Sequence, residues 1–248
     1  MKRNDLLHWV DALLEPWRFR DYAPNGLQVE GRDEIRKVVT GVTASQALLD
    51  EAVRRNADAV LVHHGYFWKG EDARLVGIKQ RRLKTLLLND INLLAYHLPL
   101  DAHPEVGNNA ALARQLGLRE EGRAADMDLL CYGTLDDSRS AGQWVQDIGK
   151  VLGRDALLLG RADKTVRRVA WCTGGAQGYF EQAVALGVDA FITGEASEQN
   201  HHMAFESDVV FVSAGHHATE RYGIQALGAR LADETGIDVE FVEVFNPV

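Results

Sequence analysis

Two stretches of this chain lie over one another without a gap, Val38–His64 on Val169–Glu195. Val38 falls on Val169, Gln46 on Gln177, Asp50 on Glu181, Ala52-Val53 on Ala183-Val184, Asp58-Ala59 on Asp189-Ala190, and His64 on Glu195. In each copy a β-branched run (Lys37–Val42, Arg168–Thr173) leads through small residues to helical spacing (Gln46–Arg55, Tyr179–Leu186), then to an apolar strand (Ala59–Val62, Ala190–Thr193). A third apolar run recurs as Ile91–Tyr96 and Val209–Ala214, followed by His97-x-x-x-Asp101 and His216-x-x-x-Glu220 and then by further helical patterns (Asn108–Leu116, Ile224–Glu234). A β-α-β unit occurring twice constrains the fold strongly, because alternating strands and helices build mainly parallel sheets through right-handed crossovers. The expectation is an α/β protein of two similar halves related by a pseudo-twofold, residues 1–124 and 125–248. Their boundary falls somewhere in 120–165, where Leu129–Leu135, Ala141–Leu152 and Ala156–Leu159 form elements of their own.

At 248 residues the chain is long enough to bury a substantial core. Its net charge of −9 argues against an electrostatic hold on nucleic acid or acidic lipid. The one dense basic segment, Lys79-Gln80-Arg81-Arg82-Leu83-Lys84, reads as a solvated helix face. No apolar run approaches the roughly 20 residues of a membrane span, and Met1-Lys2-Arg3-Asn4-Asp5 leads into an amphipathic pattern rather than a signal peptide. Cytoplasmic residence is therefore expected. Cys131 and Cys172 lack C-x-x-C spacing and read as buried thiols. There is no P-loop and no Gly-x-Gly-x-x-Gly fingerprint, which removes support for ATP-driven and dinucleotide-dependent functions. The loop Thr173–Gly178 reads either as a structural turn or as a set of backbone N–H groups offered to an anion.

Ligands of open α/β sheets sit outside the carboxyl ends of the strands, and three such ends here carry nitrogen and carboxylate donors. His63 and His64 close the run Ala57–Val62; on an extended segment they point to opposite sides and would serve two ions, or one on each side of a bend at Gly65. His97 and Asp101 follow the next strand, with Pro99 favouring an extended, loop-like approach. His216 and Glu220, four apart, share one face if a helix opens there. A mixed His/Asp/Glu set suits a first-row divalent ion such as Zn, Mn, Fe or Ni, and a carboxylate such as Glu220 can bridge two of them. His97 reads as a ligand or as a partner that carries a proton. His217 lacks the matched spacing, and His201-His202 after Glu198 belong to a surface helix. The aromatic run Tyr66-Phe67-Trp68 before Lys69 would stack a flat base beside a phosphate, cover the cleft, or fill a subunit interface.

Asp21-Tyr22-Ala23-Pro24-Asn25-Gly26-Leu27-Gln28-Val29-Glu30-Gly31, Gly41-Val42-Thr43-Ala44-Ser45, His63-His64-Gly65, His97-Leu98-Pro99-Leu100-Asp101 and Gly215-His216-His217-Ala218-Thr219-Glu220-Arg221 resemble the signatures of the Nif-three-like family, in its YbgI-type branch. The similarity runs along essentially the whole chain and is weakest from Glu120 to Asp163. The resemblance implies a dinuclear metal centre in a cleft between two α/β halves, and a toroidal homohexamer with its sites facing inward. It implies two divalent ions per chain held by His63, His64, Asp101, His216 and Glu220, with Glu220 bridging and His97 close to the metals but less securely a ligand; as a carrier of protons, His97 is the candidate catalytic residue. The function expected is a metal-dependent hydrolase acting on a nucleotide-like or small phosphorylated substrate, with GTP cyclohydrolase-type ring opening as one version. The alternative is a non-catalytic protein that stores, delivers or senses metal, or a ring-shaped scaffold; acidic charge counts against a scaffold around nucleic acid.

Overall fold

The computed structural model describes all 248 residues. In chain order the elements are α1 (Arg3–Leu14), β1 (Gly26–Val29), β2 (Lys37–Thr43), α2 (Gln46–Arg54), β3 (Ala59–His64), α3 (Gly77–Leu88), β4 (Asn92–Ala95), α4 (Leu98–Ala102) and α5 (Asn108–Leu116). There follow β5 (Leu118–Ala124), β6 (Leu130–Ser140), α6 (Ala141–Leu152), β7 (Leu157–Leu159), β8 (Thr165–Trp171), α7 (Phe180–Ala185), β9 (Ala190–Thr193), α8 (Glu198–Ser207), β10 (Val210–Ser213), α9 (His216–Thr235) and β11 (Asp238–Phe241). This is a mixed α/β protein with two sheets, and no helix is long and apolar enough to cross a membrane.

Two compact units emerge, Met1–Gly107 with Ile224–Phe245, and Asn108–Gly223 with Asn246–Val248. They do not coincide with the contiguous halves 1–124 and 125–248. The physical reason lies in α9 and β11: Ile224, Leu227 and Leu231 recur at helical spacing and enter the core of the first unit, and β11 pairs in parallel with β2.

The first unit contains the sheet β1-β4-β3-β2-β11, parallel except for the antiparallel edge strand β1. Its inner strands β4, β3 and β2 are buried on both faces, which explains their apolar runs. The period of two then splits each run between two cores. Val38, Val42, Ala59, Leu61, Leu94 and Tyr96 face α1 and the end of α9. Val39, Val60, Val62, Leu93 and Ala95 face α2 and α3. The α2 helix begins where the Ser45 hydroxyl accepts a hydrogen bond from the Leu48 amide, an N-cap that satisfies one of the orphan amides of a first turn.

The second unit contains the sheet β5-β6-β8-β9-β10-β7. Its centre, β8-β9-β10, is parallel, and antiparallel strands extend it on both sides. Trp144, Ile148 and Leu152 of α6 cover one face against Val169, Trp171, Ile192 and Val212. On β9 and β10, Phe191 and Phe211 pack with Phe180 of α7, ring centroids 5.0–5.9 Å apart.

The internal repeat extends to single hydrogen bonds. Val38 pairs with Ala59 across β2 and β3, and their repeat equivalents Val169 and Ala190 pair across β8 and β9. Asp58 Oδ2 accepts the amides of Arg36 and Lys37 at 2.8 and 3.0 Å; Asp189 Oδ2 accepts those of Arg167 and Arg168 at 2.9 and 2.8 Å. In both units an aspartate just ahead of the second strand holds two successive amides of the segment that forms the first, at the start of β2 and within β8.

Candidate metal centre

The donors predicted from sequence lie at the carboxyl ends of β3, β4 and β10. His63 is fully buried and His64 half-buried at the end of β3. His97 follows β4, and Asp101 sits one turn further on, buried. His216 opens α9 after β10, with Glu220 one turn on and only 3% exposed.

Within the first unit, donor atoms of His63, His64 and His97 all lie within 4.8 Å of one another, and Asp101 Oδ1 is 3.5 Å from His63 Nε2. In the second unit His216 Nε2 lies 3.1 Å from Glu220 Oε2. With metal–ligand bonds of about 2.0–2.2 Å, donors around one first-row ion stand roughly 3–4 Å apart, so both pairs have the spacing such an ion spans.

The orientation of the rings supports the same fit. Each of the four imidazoles has Nδ1 engaged by an oxygen: His63 by the Tyr96 carbonyl at 3.1 Å, His64 by the Thr43 hydroxyl at 3.1 Å, His97 by Asp21 Oδ1 at 2.7 Å, and His216 by Glu195 Oε1 at 2.6 Å. A carbonyl or an ionised carboxylate can only accept, so His63, His97 and His216 carry a proton on Nδ1; within their own units, His63 Nε2 lies towards Asp101 and His216 Nε2 towards Glu220. Metal-binding histidines are fixed in this way by outer partners that set tautomer and ring angle. The donor set and its geometry therefore fit divalent ions.

Burial works to keep His216 neutral, but its hydrogen bonds to Glu220 and Glu195 outweigh that and raise its pKa to about 9. Glu220 is seated by a glycine. At Gly174, with φ +69°, a Cβ would stand 1.9 Å from Glu220 Oε1 and 3.1 Å from His216 Nε2. The bare backbone of this loop is what lets the carboxylate approach. Three amides of the Thr173–Gly178 loop are consumed by protein oxygens: Thr173 N–H donates to Asn109 Oδ1, Gly174 N–H to Thr219 Oγ1 and Ala176 N–H to Thr193 Oγ1. The loop thus supports α9 instead of offering those amides to an anion. Gly194 plays a similar part, since a Cβ there would stand 2.6 Å from His216 Cα.

Other sequence expectations resolve individually. Pro99 lies in the first turn of α4, a short buried helix, where a missing N–H costs nothing; the segment is not the extended approach expected from its proline. Tyr66 belongs to the core, its hydroxyl donating to the Ala44 carbonyl at 2.6 Å. Trp68 stands edge-on to His97, with centroids 4.9 Å apart. His201 and His202 are exposed on α8, and the basic segment lies along α3 with Gln80, Arg81 and Lys84 exposed, Lys79 and Arg82 partly buried and Leu83 in the core. The spacing of His and acid residues does not point to Asp21, Thr43 or Glu195 as site residues. Glu195 carries another signal, because it occupies the place of His64 in the repeat; Asp21 lies within a family-like motif but far along the chain from the ring it holds.

The profile of the family described as Duf34/NIF3 (NGG1p interacting factor 3) matches residues 1–247. The chain belongs to the Duf34/NIF3 family. Family relatives named GTP cyclohydrolase 1 type 2 homolog occur in Yersinia pestis, 60% identical over 248 residues and 100% of both chains, and in Pseudomonas aeruginosa, 56% identical over 98% of both. Among solved Duf34/NIF3-like structures, one described as protein ybgI of unknown function aligns with a TM-score of 0.97 at 52% identity, covering 100% of both chains. A protein from Thermus thermophilus aligns at 0.90 with 36% identity and the same coverage.

Proposed function

We propose that this protein is a cytoplasmic metal-dependent hydrolase that holds two divalent ions through His63, His64, Asp101, His216 and Glu220, with Glu220 shared between them. The observation that carries the reading is the set of outer partners: Tyr96, Thr43 and Glu195 fix His63, His64 and His216 at Nδ1 and leave Nε2 for an ion. The name shared by the relatives suggests ring opening of a purine nucleotide as one form of the chemistry. Hydrolysis of a small phosphorylated compound is the broader form.

Two divalent ions would supply charge for a developing anion and acidify water at neutral pH. The remaining work falls to side chains. Asp101 and Glu220 bring the negative charge that two dications require, and their burial keeps those carboxylates from competing solvent. Trp68 lines the ring of His97 and offers a flat apolar wall to a planar substrate.

The test is a screen of GTP, modified nucleotides and generic phosphoesters against the metal-loaded protein, the chelated protein and Asp101→Ala. Turnover that disappears on chelation, returns with zinc or manganese, and is absent from a folded Asp101→Ala supports the hydrolase. Activity that survives complete metal removal refutes it. Tight stoichiometric metal binding with no turnover of any substrate assigns the protein to metal storage, delivery or sensing.

A further inference from the structure

His97 is held at its backbone as well as at its ring. Loop residues Asp21 and Asn25 reach across more than seventy positions of chain to clamp it. His97 Nδ1–H donates to Asp21 Oδ1 at 2.7 Å, the His97 amide donates to Asn25 Oδ1 at 2.7 Å, and the Leu98 amide donates to Asp21 Oδ2 at 2.9 Å. Asn25 Nδ2 and the Tyr22 amide donate to the same carboxylate, at 2.9 and 2.6 Å. The Asp21 side chain is only 3% exposed. Burial works to raise its pKa, and the hydrogen bonds from His97, Asn25 and Leu98 outweigh burial and hold the carboxyl below its usual range.

The ring so fixed is not packed away. It is 17% exposed, faced edge-on by Trp68 and by Tyr22, and its centroid lies 5.1 and 5.7 Å from those of His63 and His64. In each unit one imidazole Nε2 stands opposite a carboxylate at a spacing an ion spans, His63 with Asp101 at 3.5 Å and His216 with Glu220 at 3.1 Å. The one carboxylate paired with His97 lies on its Nδ1 side. Its other ring nitrogen is left to the side of the His63 and His64 imidazoles, whose donor atoms lie within 4.8 Å of its own.

We propose that Asp21 is a positioning residue, and that His97, locked in its Nδ1–H tautomer, offers Nε2 as a hydrogen-bond acceptor to a water or substrate hydroxyl held at the His63–His64 pair, without itself ligating metal. The inference rests on the metal-centre reading above and refines it: the recognised group is one that brings an O–H to the centre. An acceptor must keep its lone pair available and its direction fixed. A carboxylate on Nδ1 secures both, as the orienting acid does for the histidine of a catalytic triad.

The experiment uses protein labelled with ¹⁵N-histidine, metal-free and zinc-loaded, as wild type, Asp21→Asn and His97→Gln. In the metal-free wild type His97 carries its proton on Nδ1. Zinc moves the Nε2 resonances of His63 and His64 to coordinated values and leaves that of His97 at the value of an unprotonated, hydrogen-bonded nitrogen. Asp21→Asn, which keeps the shape but can turn either an oxygen or an NH₂ to the ring, mixes the two tautomers. His97→Gln binds zinc with the wild-type stoichiometry and within about threefold of its affinity, whereas loss of an outer partner of a true ligand costs roughly 10–100-fold. A coordinated shift at His97, a lost ion in His97→Gln, or an unmixed tautomer in Asp21→Asn overturns the proposal. None of these readouts depends on turnover, so a failed substrate screen leaves this test intact, and a hydrolase with a zinc-bound His97 refutes only this inference.

Discussion

Gly174→Ala offers a direct probe of how the protein seats Glu220. The added Cβ would stand 1.9 Å from Glu220 Oε1, 2.8 Å from its Cδ and 3.1 Å from His216 Nε2. Carbon and oxygen in ordinary contact are about 3.5 Å apart, so the carboxylate must retreat by roughly 1.5 Å. It has little room, because Glu220 is 3% exposed and its neighbour Thr219 is held by the Gly174 amide. The backbone adds its own cost: φ is +69° at Gly174, and a left-handed conformation costs a residue with Cβ about 1–2 kcal/mol. For a chain of this size that corresponds to a fall in Tm of roughly 2–8 °C. A displaced ligand should lower metal affinity by at least the roughly 10–100-fold typical of disturbed outer partners. Calorimetric zinc titration and thermal melts of the metal-free protein measure the two effects separately. Gly178→Ala is the control, since its φ is not in the left-handed region and a Cβ there meets nothing within 4 Å. If Gly174→Ala melts lower yet binds zinc within about threefold of wild type, the loop does not fix the carboxylate and the reasoning fails.

Glu220→Gln is expected to lose far more metal than His217→Ala, whose backbone amide donates to the Val248 carbonyl; elemental analysis beside melting curves decides, and equal losses would show the wrong member of the segment was chosen. Asp58→Ala and Asp189→Ala should each destabilise by about 1–3 kcal/mol in denaturant titrations, because each removes the acceptor of two backbone amides, with Asp58 the costlier since it also accepts from Arg32 at 2.9 Å. Burial, offset in part by Arg123, pushes the Cys131 thiol up to about 12. Its contribution to stability is full below the unfolded value of 9.0 and is lost as pH rises through about 12, so alkylation at mildly alkaline pH should label Cys131 only in unfolded protein. Light scattering is expected to report a hexamer, with the exposed apolar residues Leu75, Val76, Ile78, Leu87 and Leu88 buried between chains; a monomer at micromolar concentration would refute it.

The elements that recur with a period could be read from sequence, and those fixed by distant partners could not. Val38–His64 over Val169–Glu195 is a pattern of alternating burial and helical spacing, and the structure repeats it down to the amides held by Asp58 and Asp189. Asp21 on His97 leaves no such pattern, because the two lie on different loops and no local rule places one beside the other. Equal spacing also misleads where the backbone differs. His97-x-x-x-Asp101 and His216-x-x-x-Glu220 read alike, yet His216 is the first residue of a helix, so residue i+4 comes back to its ring at 3.1 Å. His97 is the N-cap of α4, with φ −93° and ψ −104°, outside the helical range. A ring at that position is not carried over the turn that follows it. Its Nδ1 turns to Asp21, and Asp101 stands beside His63, a residue of the neighbouring strand. Four-residue spacing therefore places two donors together only when the first of them already has helical torsions, and a residue that caps a helix before Pro99 does not.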